Sequence, residues 1–142
     1  MKYLILALTL SLIQWQPDFE TAKKQAAEQH KLILLNFSGS DWCAPCIVTR
    51  KDYFDTDVFS SMAKDNLVMV NADFPRKKKN ALPEEIAKRN SALAEQYNRQ
   101  GNFPLTLLLD PSGKVLKSWI GKPEVSVEVW TGEIKSICDA HR

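Results

Sequence analysis

Cys43 and Cys46 stand three positions apart in the stretch SDWCAPCIV, residues 40–48, with Trp42 before the first and Pro45 before the second. Two cysteines at this spacing can hold a metal, close a structural staple, or cycle between a dithiol and a disulfide. A structural zinc site usually takes four ligands, often from two such pairs. Here Cys138, His30 and His141 supply the other cysteine and histidine side chains, and none is paired at ligand spacing. As a staple the pair would gain little, because the loop it closes is short.

The redox reading asks for one cysteine that ionises easily and one that does not. Cys43 falls at the expected start of a helix that follows a buried strand. Unpaired N–H groups and the positive end of a helix stabilise a thiolate there. They move a cysteine from about 8.5 toward the range of about 3.5–7.5 found in CxxC motifs. Cys46 lies one turn in and is expected to be more buried and to stay a thiol. Cys43 would attack a substrate disulfide, and Cys46 would then attack Cys43 and release the reduced substrate. Pro45 is tolerated in a first helical turn. Trp42 would shield the site and offer an apolar docking surface.

Positioning these groups needs a framework, and the apolar pattern supplies one. Residues 17–30 read as a helix with Phe19, Ala22, Ala26 and His30 on one face and Pro17 or Asp18 at its start. KLILLNF, residues 31–37, has the length and composition of a buried strand. SGSD breaks it, and the helix that begins at the CxxC runs into the fifties. Residues 57–65 read as a further short helix with Asp57 as cap. NLVMVNADF, residues 66–74, is a second buried strand. Pro83 opens a helix at its first position and Glu84 and Glu85 suit the first turn. That helix reaches about Asn98 with Leu82, Ile86, Leu93 and Tyr97 along one face. Residues 104–120 read as a β-hairpin turning at DPSG, and a last helix spans about 123–140 with Trp130, Ile134, Ile137 and Cys138 inward. The order α-β-α-β-α-β-β-α implies an α/β fold, a mixed central β-sheet flanked by helices on both faces.

The chain as a whole is consistent with this. Its 142 residues are 44% hydrophobic and 25% charged, which argues for one folded domain and against wholesale disorder. A net charge of +2 gives no footprint for nucleic acid. At the N-terminus, Lys2 precedes an eleven-residue apolar run from Tyr3 to Ile13. That length suits a signal peptide and falls well short of the ~20 residues of a membrane span. Residues 1–13 are therefore read as a signal peptide and 14–142 as the domain, with export, to the periplasm, as the consequence. The rival reading makes 1–13 a first strand or helix of the domain.

NFSGSDWCAPC at 36–46, with GNFPLTLLLDPSGKVL at 101–116, resembles the thioredoxin superfamily, and within it exported bacterial members with an SGSDWCxxC loop. The resemblance covers roughly residues 15–140. It implies a thioredoxin-like fold, with Cys43 as nucleophile, Cys46 as resolving cysteine and Trp42 flanking the site. Pro104 matches the family's cis-proline, and Phe103 precedes it. In the family that bend faces the dithiol, and the backbone beside it pairs with an extended substrate segment, a form of strand addition.

Three features depart from the family pattern. The buried acid on the strand before the motif is replaced by Asn36, so Cys46 must lose its proton to water or to another group, Asp41 being one candidate. The motif reads CAPC where thioredoxin has CGPC, and its proline at the third position leans toward a reductant. Residues 75–89 exceed the compact pattern and carry four successive cations, Arg76 to Lys79. These either recognise an acidic partner or form a solvated tip. Cys138 reads as a buried inert thiol, and Trp15, Trp119 and Trp130 as packing.

The leading reading is a thiol–disulfide oxidoreductase that reduces or isomerises protein disulfides, working through its own redox-active disulfide without another cofactor. Its partners would be protein disulfides and dithiols, together with a membrane-bound redox partner, and the chain is expected to be monomeric. Two readings from other classes compete. The pair could bind Cu(I), since thiolates suit that ion, although Met62 and Met69 fall on separate elements. Or the domain could be a docking module without turnover.

Overall fold

The computed structural model describes residues 13–142, so the signal-peptide reading of residues 1–13 lies, apart from Ile13, outside the described residues. Four strands form one sheet in the order β2-β1-β3-β4. They are β1 (Leu32–Ser38), β2 (Leu67–Asp73), β3 (Leu105–Leu109) and β4 (Val115–Ile120). β1 and β2 run parallel, while β3 runs antiparallel to both β1 and β4. The sheet is mixed, as the order of elements implied. β1 is buried along its whole length, which only a strand covered on both faces can be.

Alternation along β1 divides the core in two. Leu32 and Leu34 point to one face, where they meet Met69, Leu108 and the helices α3 (Asp57–Asn66) and α5 (Val127–Ala140). Ile33, Leu35 and Phe37 point to the other, toward α1 (Phe19–Gln29) and the inner side of α4 (Glu84–Tyr97). The first face is built around Trp130, which is 1% exposed. The rings of Tyr53, Phe54, Phe59 and Trp119 lie 5.6–5.7 Å from it. Trp15 packs edge-on against Phe54, so Trp15, Trp119 and Trp130 are packing residues as read. Cys138 lies buried on α5, and loss of hydration pushes its thiol up to about 11.

Element ends differ from the sequence reading where side chains compete for the backbone. His30 does not continue the face of α1 but ends the helix in a left-handed conformation, φ 53°. The cap of α3 is Thr56, whose hydroxyl accepts from the Phe59 N–H, and Asp57 is the first helical residue. Pro83 is the cap of α4 rather than its first turn, which leaves Leu82 outside the helix. The most buried residue of α4 is Asn90, whose amide donates to the Asp73 carbonyl at the end of β2. α5 begins four residues later than read, because the Ser126 hydroxyl accepts from Val129 N–H. After the CxxC, α2 (Ala44–Thr49) gives way to a π-helical turn, Arg50–Phe54. The Thr49 hydroxyl bonds back to the Pro45 carbonyl at 2.7 Å, a contact that bends helices.

The aromatic cluster generates a stability prediction. Trp130→Ala should cost about 3–5 kcal/mol, the usual loss for a fully buried tryptophan, read as a fall in denaturant midpoint. A loss below about 1 kcal/mol would show that this cluster is not what holds α5 to the sheet.

Candidate active site

β1 ends at Ser38, and the chain turns over residues 39–42 before α2 begins. The turn is closed by the Gly39 carbonyl, which accepts the N–H of Cys43 at 2.9 Å and that of Trp42 at 3.3 Å. Glycine is required at this point. A Cβ on residue 39 would lie 2.2–2.6 Å from atoms of the Trp42 indole. The indole N–H in turn donates to the Phe74 carbonyl at 2.7 Å, just past the end of β2. Trp42 is therefore wedged between the turn and the neighbouring strand, and it holds Cys43 at the head of the helix.

Cys43 is the N-cap of α2, in extended conformation, and its sulfur accepts the backbone N–H of Cys46 at 3.3 Å. A cap side chain normally supplies oxygen here; in this chain sulfur takes that place. The two cysteines form a disulfide with their Cα atoms 5.2 Å apart, within the usual range. In this state they are equally covered, at 5% and 4% exposure, so Cys46 is not the more buried of the two. The physical reason is that the bond joins both sulfurs at the helix start, so the two residues share one cover. The difference between them lies in their hydrogen bonding. An N–H donor faces the Cys43 sulfur and favours its charged form on reduction.

The Phe103–Pro104 peptide bond is cis. β3 starts at Leu105, opposite Phe37, so Pro104 comes at the end of the sheet where β1 runs out into the Cys43 turn. Phe103 touches Trp42 edge-on with centroids 5.4 Å apart, and Phe74 at 5.6 Å. Among the described residues, the backbone N–H and C=O of Phe103 have no hydrogen-bond partner. Trp42 itself is half-buried, with the Arg76 guanidinium 3.7 Å from the centre of its ring. The large apolar side chains exposed beside the pair are Ile47, 48% exposed, and Val48.

Beside Cys46 lies a cavity of about 260 Å³ lined by Ile47 and by the polar side chains of Asn36, Ser38, Ser40, Arg50, Lys51, Asp55 and Asn71. Asn36 is buried and satisfied on both sides. Its amide donates to the Asn71 carbonyl oxygen at 2.9 Å, and its own carbonyl oxygen accepts from the Thr106 hydroxyl at 3.2 Å. These three residues occupy one register position across β2, β1 and β3. The cavity carries polar side chains and is large enough for water. Asp41 takes no part in it. Its carboxylate accepts from the Arg76 N–H, the Asn80 amide and the Lys77 N–H, and these bonds hold it down at about 2. The candidate the sequence offered is thus committed to the 76–80 loop and does not line the cavity beside Cys46.

Residues 14–111 match the family model described as thioredoxin-like. The chain belongs to the thioredoxin-like family. It is homologous to the disulfide bond reductase DsbH of Chlamydia pneumoniae, at 38% identity over 104 residues, which is 73% of this chain and 60% of that protein. The thioredoxin-related protein DsbJ of the same organism is 28% identical over 97 residues, 68% of this chain and 27% of that one. The aligned part thus spans less than two thirds of either relative's length. The solved structure of a DsbH oxidoreductase superposes with a TM-score of 0.79 at 30% identity, covering 98% of this chain and 94% of that chain.

In this thioredoxin-like chain the structure gathers Trp42, Cys43, Cys46, Phe103 and Pro104 at one end of the sheet. Among the described residues, no group of three or more His, Cys, Asp or Glu is placed to hold a metal ion. Sequence reasoning missed Gly39, which it read only as a strand breaker, and Asn71, the partner of Asn36. It also missed the role of Asp73, which accepts from the Ser40 N–H at 2.9 Å and ties the turn to β2. A small residue three positions before a tryptophan was the available signal for Gly39.

Asp41 gives a pH test. Its carboxylate is depressed below the ordinary 3.8, so its contribution to stability is complete above about pH 4 and is lost as pH falls toward 2. The difference in denaturant midpoint between wild type and Asp41→Ala should hold steady from neutral pH to about pH 5 and shrink steadily as pH falls from about 4 through 2. A difference that ignores pH over that interval would contradict the role given to this carboxylate.

Proposed function

We propose that this protein is a thiol–disulfide oxidoreductase that reduces or isomerises disulfides in other proteins through Cys43 and Cys46. The observation that carries the reading is the placement of the Cys43 sulfur as helix cap, with the Cys46 N–H donating to it. In the reduced protein the Cys43 thiolate attacks one sulfur of a substrate disulfide. That bond breaks, the other substrate sulfur leaves and takes a proton, and a mixed disulfide forms. Cys46 then gives up its proton to water in the cavity beside it and attacks the Cys43 sulfur. The second substrate thiol departs, and two electrons have passed to the substrate. The protein is left with the Cys43–Cys46 bond that the structure contains.

Substrate binding would fall to Trp42, Phe103 and Pro104. The unpaired backbone of Phe103 supports this, because it can accept an extended segment as an added strand. Exposed Ile47 and Val48 offer the apolar contact beside it. The name of the 38% identical relative, a disulfide bond reductase, supports the reducing direction. A reductant needs a donor to reopen its disulfide, and we assign this to a redox partner protein in the membrane. We read residues 1–13 as the signal that sends domain 14–142 to the periplasm, where it acts as a monomer.

Cys46→Ser should accumulate mixed disulfides with substrate proteins, since attack proceeds and resolution does not. Cys43→Ser should accumulate none and lose all turnover. Non-reducing gels followed by mass spectrometry of the captured bands would check both. Equal capture by the two variants, or capture by Cys43→Ser alone, would reverse or remove the assigned roles.

A further inference from the structure

The run Arg76 to Lys79 has no part in the chemistry above, yet it is built into the site. All four side chains are exposed. Among the described residues none of them forms an ion pair. The chain carries +2 overall, so these four cations leave the remaining residues at −2. The run is a local excess of positive charge on a chain otherwise slightly negative.

The backbone that carries these cations is held to the residues just before Cys43. Asp41 accepts from the N–H groups of Arg76 at 2.9 Å and Lys77 at 3.0 Å, and from the Asn80 side chain at 3.0 Å. Trp42 donates to the Phe74 carbonyl, and the Phe74 N–H donates to the Ser38 carbonyl at 2.9 Å. A short turn, Lys78–Asn80, orders the tip. Arg76 stacks on Trp42, which touches Phe103. The carboxylate of Asp41 is occupied by backbone and amide groups, so the charges of Lys77, Lys78 and Lys79 stay free for a ligand while Arg76 lies on Trp42. A solvated tip has no need of such an attachment. One that stacks Arg76 on the residue flanking the nucleophile, with exposed Lys77, Lys78 and Lys79 following it in the chain, makes a positive rim on the substrate face.

We propose that Arg76, Lys77, Lys78 and Lys79 form a specificity surface that takes an acidic segment next to the disulfide of a protein substrate. This rests on the oxidoreductase reading and adds the chemistry of its substrates. Opposite charge beside the reacting sulfur raises encounter rate and fixes orientation, and its effect fades with added salt.

The test uses disulfide peptides whose flanks are acidic, neutral or basic. Each rate is taken relative to the same protein's rate on hydroxyethyl disulfide, an uncharged small substrate. Wild type should favour the acidic flank over the basic one by about tenfold in kcat/KM at low salt, and the preference should shrink as salt rises. The triple reversal K77E/K78E/K79E, which leaves the Arg76 stack in place, should invert the order. A wild type without charge preference, or a reversal that keeps it, overturns the surface. So does a wild type indifferent to peptide charge that sediments with anionic phospholipid vesicles, because the rim would then face a membrane. If neither protein turns over any disulfide, the oxidoreductase reading falls instead. The surface is then judged by binding of a cysteine-free acidic peptide to the oxidised protein. Binding about tenfold weaker in the reversal variant upholds it, and equal binding overturns it.

Discussion

One hydrogen bond organises this molecule's chemistry, the Cys46 N–H to the sulfur of Cys43. For that bond to form, a cysteine must stand where a helix begins and nothing else must satisfy the first-turn donor. The rest of the fold meets this demand step by step. A fully buried β1 delivers the chain to the end of the sheet. Gly39 reverses it in a turn that admits the Trp42 indole. Trp42 and Ser40 tie the turn to the end of β2 and the segment after it. These ties fix the helix start, and stabilisation of a thiolate by N–H groups depends on their being fixed.

The substituted acid shows how far such a site can change and keep its logic. Asn36 fills a buried position with a group that cannot take a proton, and it is held by Asn71 and Thr106 in a satisfied row across three strands. Fully paired polar groups of this kind specify a single arrangement of a core. What the row retains is polarity next to Cys46, with a cavity that water can enter. The carboxylate nearest in sequence, Asp41, serves the loop instead.

The sheet, its helices on both faces and the dithiol at a helix start were legible in the sequence because they rest on long apolar runs and a rare spacing. KLILLNF and NLVMVNADF admit little but buried strands, and DPSG between two such runs admits little but a turn. Helix ends were harder. Thr56 and Ser126 take their cap positions through single hydrogen bonds, which periodicity does not register, and Pro83 caps α4 with no side-chain bond at all. The π turn after α2 depends on a side-chain bond from Thr49. Asp41 was the hardest to read, because its partners lie 35 to 39 residues away and meet it only when β1 and β2 pair in register.

The central claim is that the helix start makes Cys43 the thiolate. It is tested most directly by following alkylation of each cysteine against pH in the reduced protein, with the modified residue identified by mass spectrometry. The account predicts that Cys43 ionises well below the free-cysteine value of about 8.5, while Cys46 reacts only at higher pH. If Cys43 titrated at or above that value, or if Cys46 ionised first, the geometry described would not be the source of the reactivity.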